Sequence, residues 1–302
     1  MANETKAAFL KELSKRYGTL HKLDQSQSLF EIGYRAAKVY IRYSKVHSGN
    51  RTFYGLREED LKKLEGHTSL ICFLWDGQAE PLLVPFSEYE EVFRSTSPAN
   101  DGQYKAQIYL QGDGTELYIA KAGRFNVEGY FGWGELDKFV DSAKLENVPE
   151  FSHWQIQTYL GAIGTAKDYD IWVPPSDRVK LDWSLANQFK CRDEVPFGFE
   201  PVKNILQEVD VVWIQRGSSE LRALFEVEHS TPVYSALLRF NDIHLLTPSL
   251  RATFSVVANE ARRDLFVRQL NRPTFRTSGL RELCTFLEYV NVFGWYKRII
   301  SK

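Results

Sequence analysis

The 302-residue chain has little sulfur: three cysteines and a single methionine. Cys72, Cys191 and Cys284 stand far apart and form no Cys-x-x-Cys pair. That spacing argues against a disulfide framework and against a structural zinc site, and it suits a reducing compartment. No apolar run approaches the roughly 18–20 residues that a membrane helix needs. The opening stretch MANETKAAFLKELSKRYG is charged and helix-like, without the apolar centre of a signal peptide. The expected setting is the cytoplasm, with no membrane partner. Net charge is also nearly absent, at −1, which excludes a uniformly basic nucleic-acid binder. No internal repeat and no low-complexity segment is found.

Aromatic residues are abundant, with 20 Phe, 15 Tyr and 7 Trp. The composition, 43% hydrophobic and 25% charged, is that of an ordinary globular chain, long enough for two domains. Charge is unevenly placed. Residues 1–65 hold 13 Lys/Arg against 8 Asp/Glu, a net +5, and residues 261–302 hold 9 against 3, a net +6. The middle, 66–260, is therefore at −12. Basic ends around an acidic centre suit a protein that grips phosphates at its edges and holds a metal in between. Clustering on solvated faces accounts for the same pattern equally well.

Residues 5–16 read as an amphipathic helix. From 28 to 145, short runs such as TSLICFLW, PLLVPF, AQIYLQG and TELYIAKAG alternate with Gly, Asp and Asn turns, which predicts a β-rich N-terminal domain over 1–145. GLREEDLKKLEG reads as a helix within it. The segment ENVPEFSHW marks the boundary, and 146–302 form a second domain. There SHWQIQTYLGAIGTAKDYDIWVP reads as a helix capped by Ser152 and then a strand. A helix is expected at PVKNILQEV. VDVVWIQ, a GSS turn and ALFEVEH give two strands. STPVYSALLRFNDIHLL gives a helix capped by Ser230 or Thr231, with Pro232 in its first turn. ATFSVVAN is a strand. ARRDLFVRQLNRPTF and GLRELCTFLEYVNVF read as helices, with a short strand at RPTF as an option. The order predicts a mixed α/β core.

The informative unit is EVDVVWIQRGSSELRALFEVEHST. Asp210 begins one strand, and Glu226 and Glu228 lie on the next. Strand side chains alternate, so the two glutamates share a face. Carboxylates on an otherwise apolar strand are costly unless something positive neutralises them, and a divalent cation with oxygen ligands does so.

The spacing Asp-(x15)-Glu-x-Glu resembles the PD-(D/E)xK signature of type II restriction endonucleases. The resemblance covers roughly residues 150–290. It implies a restriction-endonuclease-like core, a mixed central sheet flanked by helices. It also implies roles by position. Asp210 matches the first metal-binding acid, Glu226 the second, and the carbonyl of Val227 the backbone ligand. Glu228 falls where the motif has Lys, a departure with precedent that weakens the assignment of a general base. Glu228 would position or deprotonate the attacking water, or help hold a second metal. HWQIQTYLGAIG resembles the helix that precedes the core sheet in that family. Gln157 is the candidate there to reach the metal, with Gln155 the alternative. The implied cofactor is Mg²⁺, with Mn²⁺ as substitute. The implied partner is duplex DNA, cut by a homodimer because double-strand cleavage needs two sites.

Other residues are read more plainly. His229 is a capping or packing residue, Arg239 a solvated helix position, and Asp177 a cap or turn residue. Arg262 and Arg263, clustered with Arg268, Arg272 and Arg276, are phosphate candidates. In the N-terminal half, Arg51 and Arg57 near Phe53 and Tyr54, and Lys121 and Arg124 in YIAKAGRFNVEGYFGW, interleave base and aromatic as DNA contacts do. Three other functions remain open at this point. One is a repair, defence or modification-dependent nuclease of the same fold. Another is a DNA-binding module that has lost catalysis. The last is a glycoside hydrolase, disfavoured because its two carboxylates would rise from one strand rather than from opposing walls.

Overall fold

The computed structural model describes residues 2–23, 26–33, 36–111, 114–145, 150–229 and 232–300. It divides into two compact units, Met1–Asn147 and Val148–Lys302. Among the described residues no helix is long and apolar enough to cross a membrane.

The first unit opens with α1 (Ala2–Tyr17) and then runs through β1 (His21–Lys22), β2 (Leu29–Ile32), β3 (Ala37–Ser44), β4 (Tyr54–Arg57) and α2 (Glu58–Lys62). It continues with β5 (Ser69–Trp75), β6 (Leu82–Pro85), α3 (Phe86–Ser95), β7 (Gln103–Gln111), β8 (Gly114–Ile119), β9 (Gly123–Asn126) and α4 (Gly134–Leu145). One sheet has the order β1-β2-β3-β5-β6 and a second the order β4-β7-β8-β9. The run SLICFLW is buried along its whole length because both faces of its sheet are covered. Ile71, Phe73 and Trp75 enter one apolar cluster, while Leu70, Cys72 and Leu74 enter another. In the second sheet burial alternates along β8, the mark of a sheet with one covered face. The stretch GLREEDLKKLEG is split: its first residues finish β4, and only Glu58–Lys62 are helical.

The second unit is built on a five-stranded mixed sheet of order β10-β11-β12-β13-β14. Its elements are α5 (His153–Ala166), β10 (Tyr169–Trp172), α6 (Pro175–Arg178), α7 (Lys203–Leu206), β11 (Val211–Gln215), β12 (Leu221–Glu228) and α8 (Val233–Leu246). After these come β13 (Thr253–Ala258), α9 (Arg263–Leu270), α10 (Pro273–Ser278), α11 (Leu280–Leu283), β14 (Cys284–Glu288) and α12 (Tyr289–Ile300). β10, β11 and β12 pair antiparallel, while β13 and β14 add in parallel. Alternate residues of β12 feed two apolar layers. Leu224 packs with Ala236, Leu237 and Phe240 of α8. Ala223, Phe225 and Val227 pack with Ile156, Leu160 and Ile163 of α5 and with Trp295 of α12.

Helix α5 starts where the sequence indicates. Ser152 caps it and Gln155 returns the bond, a reciprocal capping box. The helix sits close on the sheet because Gly164 lacks a side chain. A Cβ on Gly164 would lie 2.5 Å from Ile171 Cδ1 and from the Trp213 indole nitrogen, and that nitrogen donates to the Leu160 carbonyl at 3.0 Å.

Four expectations are corrected. The RPTF segment is no strand: Pro273, Thr274 and Phe275 open α10, Pro273 being well placed in a first helical turn. GLRELCTFLEYVNVF is not one helix, since CTFLE forms β14 against β13. Both faces of that strand are covered, with Phe286 in one layer and Leu287 in the other. It therefore shows no clean alternation of apolar and polar residues, and so short a segment cannot be told from a helix by periodicity. PVKNILQEV yields only a 3₁₀ turn at Glu200–Val202 and the single turn α7. Pro232 is the N-cap of α8 rather than part of its first turn. The capping role expected of Ser230 or Thr231 lies outside the described residues.

Candidate metal centre

Asp210 immediately precedes β11, and the β11–β12 ladder sets its position. Val211 pairs with Phe225, so one further step of the antiparallel register puts Asp210 opposite Glu226. The Asp210 carboxylate then turns along the strand and accepts the backbone N–H of Val227 at 2.7 Å. Its other oxygen lies 3.3 Å from Nε2 of His153, the first residue of α5.

Gln157 lies one helical turn further along α5 and is fully buried, at 0% exposure. Its amide nitrogen donates to Asp210 Oδ1 and to Asp177 Oδ2, both at 3.3 Å. The structure thus brings Gln157, and not Gln155, to Asp210. Gln155 is spent on the capping box and on Asp182. Asp177, expected as a cap or turn residue, stands on α6 with its carboxylate turned to Gln157 and Lys180. His153, Asp177 and Asp210 offer ligand atoms that all lie within 4.8 Å of one another.

Glu226 and Glu228 are both buried, at 0% and 2% exposure. Arg239 of α8 grips Glu226 with two bonds of 2.7 Å each. This overturns the reading of Arg239 as a solvated helix position: α8 packs over this face of β12 and carries the guanidinium inward. Burial pushes the Glu226 carboxyl up, to about 8. The Arg239 bonds oppose that rise, and the charges of Asp210 and Glu228 add to it. Arg239 is itself pushed further up by the pair, so the guanidinium stays charged throughout. At His153 burial lowers the imidazole pKa. The bond to Asp210, the charges of Asp210 and Asp177 and the Val227 carbonyl outweigh it, and the net direction is up.

A cavity of about 610 Å³ opens here. Its walls include His153, Asp177, Asp210, Val227, Glu228, Lys180 and Arg239. A divalent cation fits this donor set on two grounds. The donors are carboxylates, a backbone carbonyl and an amide, the hard oxygens such ions take. In addition, Oε1 of Gln157 is buried with no hydrogen-bond partner among the described residues, which a native interior rarely leaves so.

The basic candidates are scattered. Arg263 is committed to Glu288 and is largely buried, and Arg262 donates to the His229 carbonyl at 2.8 Å. In the first unit Arg57 pairs with Glu59 at 3.2 Å. Arg124 pairs with Glu116 while covering the Tyr109 ring. Arg51 lies over Phe53, and Lys121 is exposed in a left-handed turn with φ 70°. His229 stacks on Tyr289 and lines the cavity. Sequence reasoning missed His153, Asp177 and Arg239. The legible cap at Ser152 already placed His153 at the start of α5, but no local pattern says that this end meets β11.

A model of the C-terminal domain of the type II restriction enzyme NmeDI matches residues 138–300, more than half of the chain. Over 134 residues the chain is 28% identical to the type II restriction enzyme NmeDI of Neisseria meningitidis serogroup C. That stretch is 41% of this chain and 37% of the Neisseria protein, so the match spans little more than a third of the relative's length. No solved structure matches the chain significantly. On the extent of the family match, the chain belongs to the family of the NmeDI C-terminal domain.

Proposed function

We propose that the second unit is a Mg²⁺-dependent DNA endonuclease of the type II restriction class, with a PD-(D/E)xK core and Mn²⁺ as substitute cofactor. The observation that carries this reading is the position of Asp210, one step beyond the ladder opposite Glu226 and bonded to Val227 N–H at 2.7 Å. An acid at the mouth of one strand thereby meets the Glu-x-Glu of the next, in a family whose namesake is a restriction enzyme.

In this reading Asp210, Glu226 and the Val227 carbonyl hold the cation. When bound, it polarises the scissile phosphate and lowers the pKa of the attacking water. Glu228, on the cavity wall, orients that water and accepts its proton. Gln157 fixes the Asp210 carboxylate. Arg239, carrying the cationic charge that the motif's Lys would bring, offsets the buried acids, and Lys180 at the cavity wall draws in the phosphate. The substrate is duplex DNA, cut by a homodimer, with the first unit as its recognition domain.

One observation favours a second reading, a DNA-binding module without catalysis: both Glu226 carboxylate oxygens are engaged by Arg239. Incubating the full chain with unmodified phage DNA and with methylated genomic DNA, in Mg²⁺ or in EDTA, separates the two. Discrete Mg²⁺-dependent fragments support the nuclease. DNA that is bound but uncut across several divalent metals supports the binding module. The substrate that is cut tells restriction of unmodified DNA from dependence on modification.

A further inference from the structure

We infer that the chain carries a second cation site, distinct from the Asp210–Glu226 pair, in which His153, Asp177 and Gln157 join Asp210 to bind a transition-series divalent metal such as Mn²⁺. The site is drawn from side chains that the Asp-x15-Glu-x-Glu pattern does not contain. It goes beyond the nuclease reading and stands whether or not the chain cuts DNA.

Three elements converge on it. The capping box starts α5 at His153, which aims the imidazole at the strand mouth, with Nε2 3.3 Å from Asp210 Oδ1. The single turn α6 brings in Asp177. One atom each from His153, Asp177 and Asp210 lies within 4.8 Å of the others. Two ligands each about 2.1 Å from a common ion are at most about 4.2 Å apart. Contraction by roughly half an ångström, within the reach of these side chains, therefore closes the set.

The pointer outside this three-ligand cluster is Gln157. Its side chain is fully buried, and its amide head lies between the two carboxylates, bonded to each at 3.3 Å. Its Oε1 has no partner among the described residues. The amide now presents its NH₂ group where two acids need a positive partner. With a cation between those acids, a half-turn of the same amide places Oε1 on the metal and removes the orphaned acceptor.

The donor set also fixes the class of ion. An all-oxygen shell suits Mg²⁺, whereas an imidazole nitrogen beside two carboxylates shifts preference toward Mn²⁺, Co²⁺ or Zn²⁺. Asp210 belongs to both sites, so a second ion would sit beside the first.

The test uses the full chain without DNA and Mn²⁺ as the probe. Mn²⁺ is titrated by electron paramagnetic resonance, and the bound ion is then examined by pulsed methods for coupling to a ¹⁴N nucleus. The wild type is expected to bind Mn²⁺ with ¹⁴N coupling. His153→Ala should remove the coupling and weaken binding tenfold or more, the scale seen even for groups that only support a ligand. Asp177→Asn should weaken binding while coupling persists at saturation, and Glu226→Gln should leave the coupled site in place. Circular dichroism in EDTA checks that each variant is folded, and if His153→Ala is not, Asp177→Asn carries the test. Bound Mn²⁺ without ¹⁴N coupling, coupling that survives His153→Ala in place of His153, affinity unchanged by Asp177→Asn, or no Mn²⁺ binding each overturns the proposal. Cleavage is read separately. A chain that cuts DNA without the coupling keeps the nuclease reading and loses this one, and coupling without cleavage does the reverse.

Discussion

Arg239 and Glu226 meet in a two-pronged ion pair, each bond 2.7 Å, between α8 and the fully buried face of β12. Removing one partner of such a pair strands the other charge where water cannot reach it. Above about pH 8, where the Glu226 carboxyl is ionised, Arg239→Ala should therefore destabilise the metal-free protein by on the order of 3 kcal/mol. Adding Glu226→Gln to that variant should recover part of the loss. Urea denaturation in EDTA measures both. An Arg239→Ala midpoint equal to wild type would mean that the pair is solvated and the carboxylate is not confined.

The same carboxylate gives a pH dependence. Its ordinary value is 4.5 and its folded value is raised to about 8. Between those limits the folded state holds more protons than the unfolded one, so stability falls as pH rises. The contribution is complete below about 4.5 and is lost as pH passes 8. His153, raised above 6.5, acts in the same sense over the upper part of that window. Thermal melts in EDTA between pH 5 and pH 8.5 should show the decline, a few kcal/mol at most. Glu226→Gln should flatten it and His153→Ala should flatten only its upper part. Parallel wild-type and Glu226→Gln curves would show that the carboxyl does not titrate there.

Gly164 provides a check on the fold. Helix propensity alone favours Ala at this position by up to about 1 kcal/mol. The added Cβ, however, would stand 2.5 Å from Ile171 and Trp213, and forcing a methyl into a filled core costs about 1–3 kcal/mol. Gly164→Ala should lower the melting temperature, and loss of the Trp213–Leu160 bond should change the tryptophan emission. A variant more stable than wild type would mean that α5 does not sit close on the sheet.

Ser152 both caps α5 and sets the direction of His153. Ser152→Ala should cost about 1 kcal/mol, whereas Ser152→Asp should restore most of it, since Asp caps as well. A denaturation series comparing the two variants tests this, and equal losses in both would show that the capping box is not formed.

Much of this was legible in the sequence and some was not, for identifiable reasons. The Ser152 cap, the α5 stripe and the strands around Asp210, Glu226 and Glu228 were legible because each rests on local chemistry: a capping side chain, a helical period, a strand alternation. β14 was not, because a parallel strand covered on both faces shows no alternation. The same limit hid Arg239, whose role depends on which way α8 lies across β12. His153 and Asp177 reach Asp210 only because α5, α6 and β11 end at one place, a fact of topology that spacing along the chain does not carry. The glutamates were correctly placed on one face, but the sequence gives no sign that an arginine 13 residues later would occupy one of them.

In the proposed nuclease, Asp210 and Glu226 together hold one cation for phosphodiester cleavage. The most direct measurement compares wild type, Asp210→Asn and Glu226→Gln on the same cleavable DNA in Mg²⁺, with DNA binding followed separately by gel shift. Wild type should give fragments in Mg²⁺ and none in EDTA, and each variant should lose cleavage by roughly 100-fold, the upper end of what even supporting groups cost, while still binding DNA. Wild-type rates in either variant, or cleavage in EDTA, would contradict this assignment.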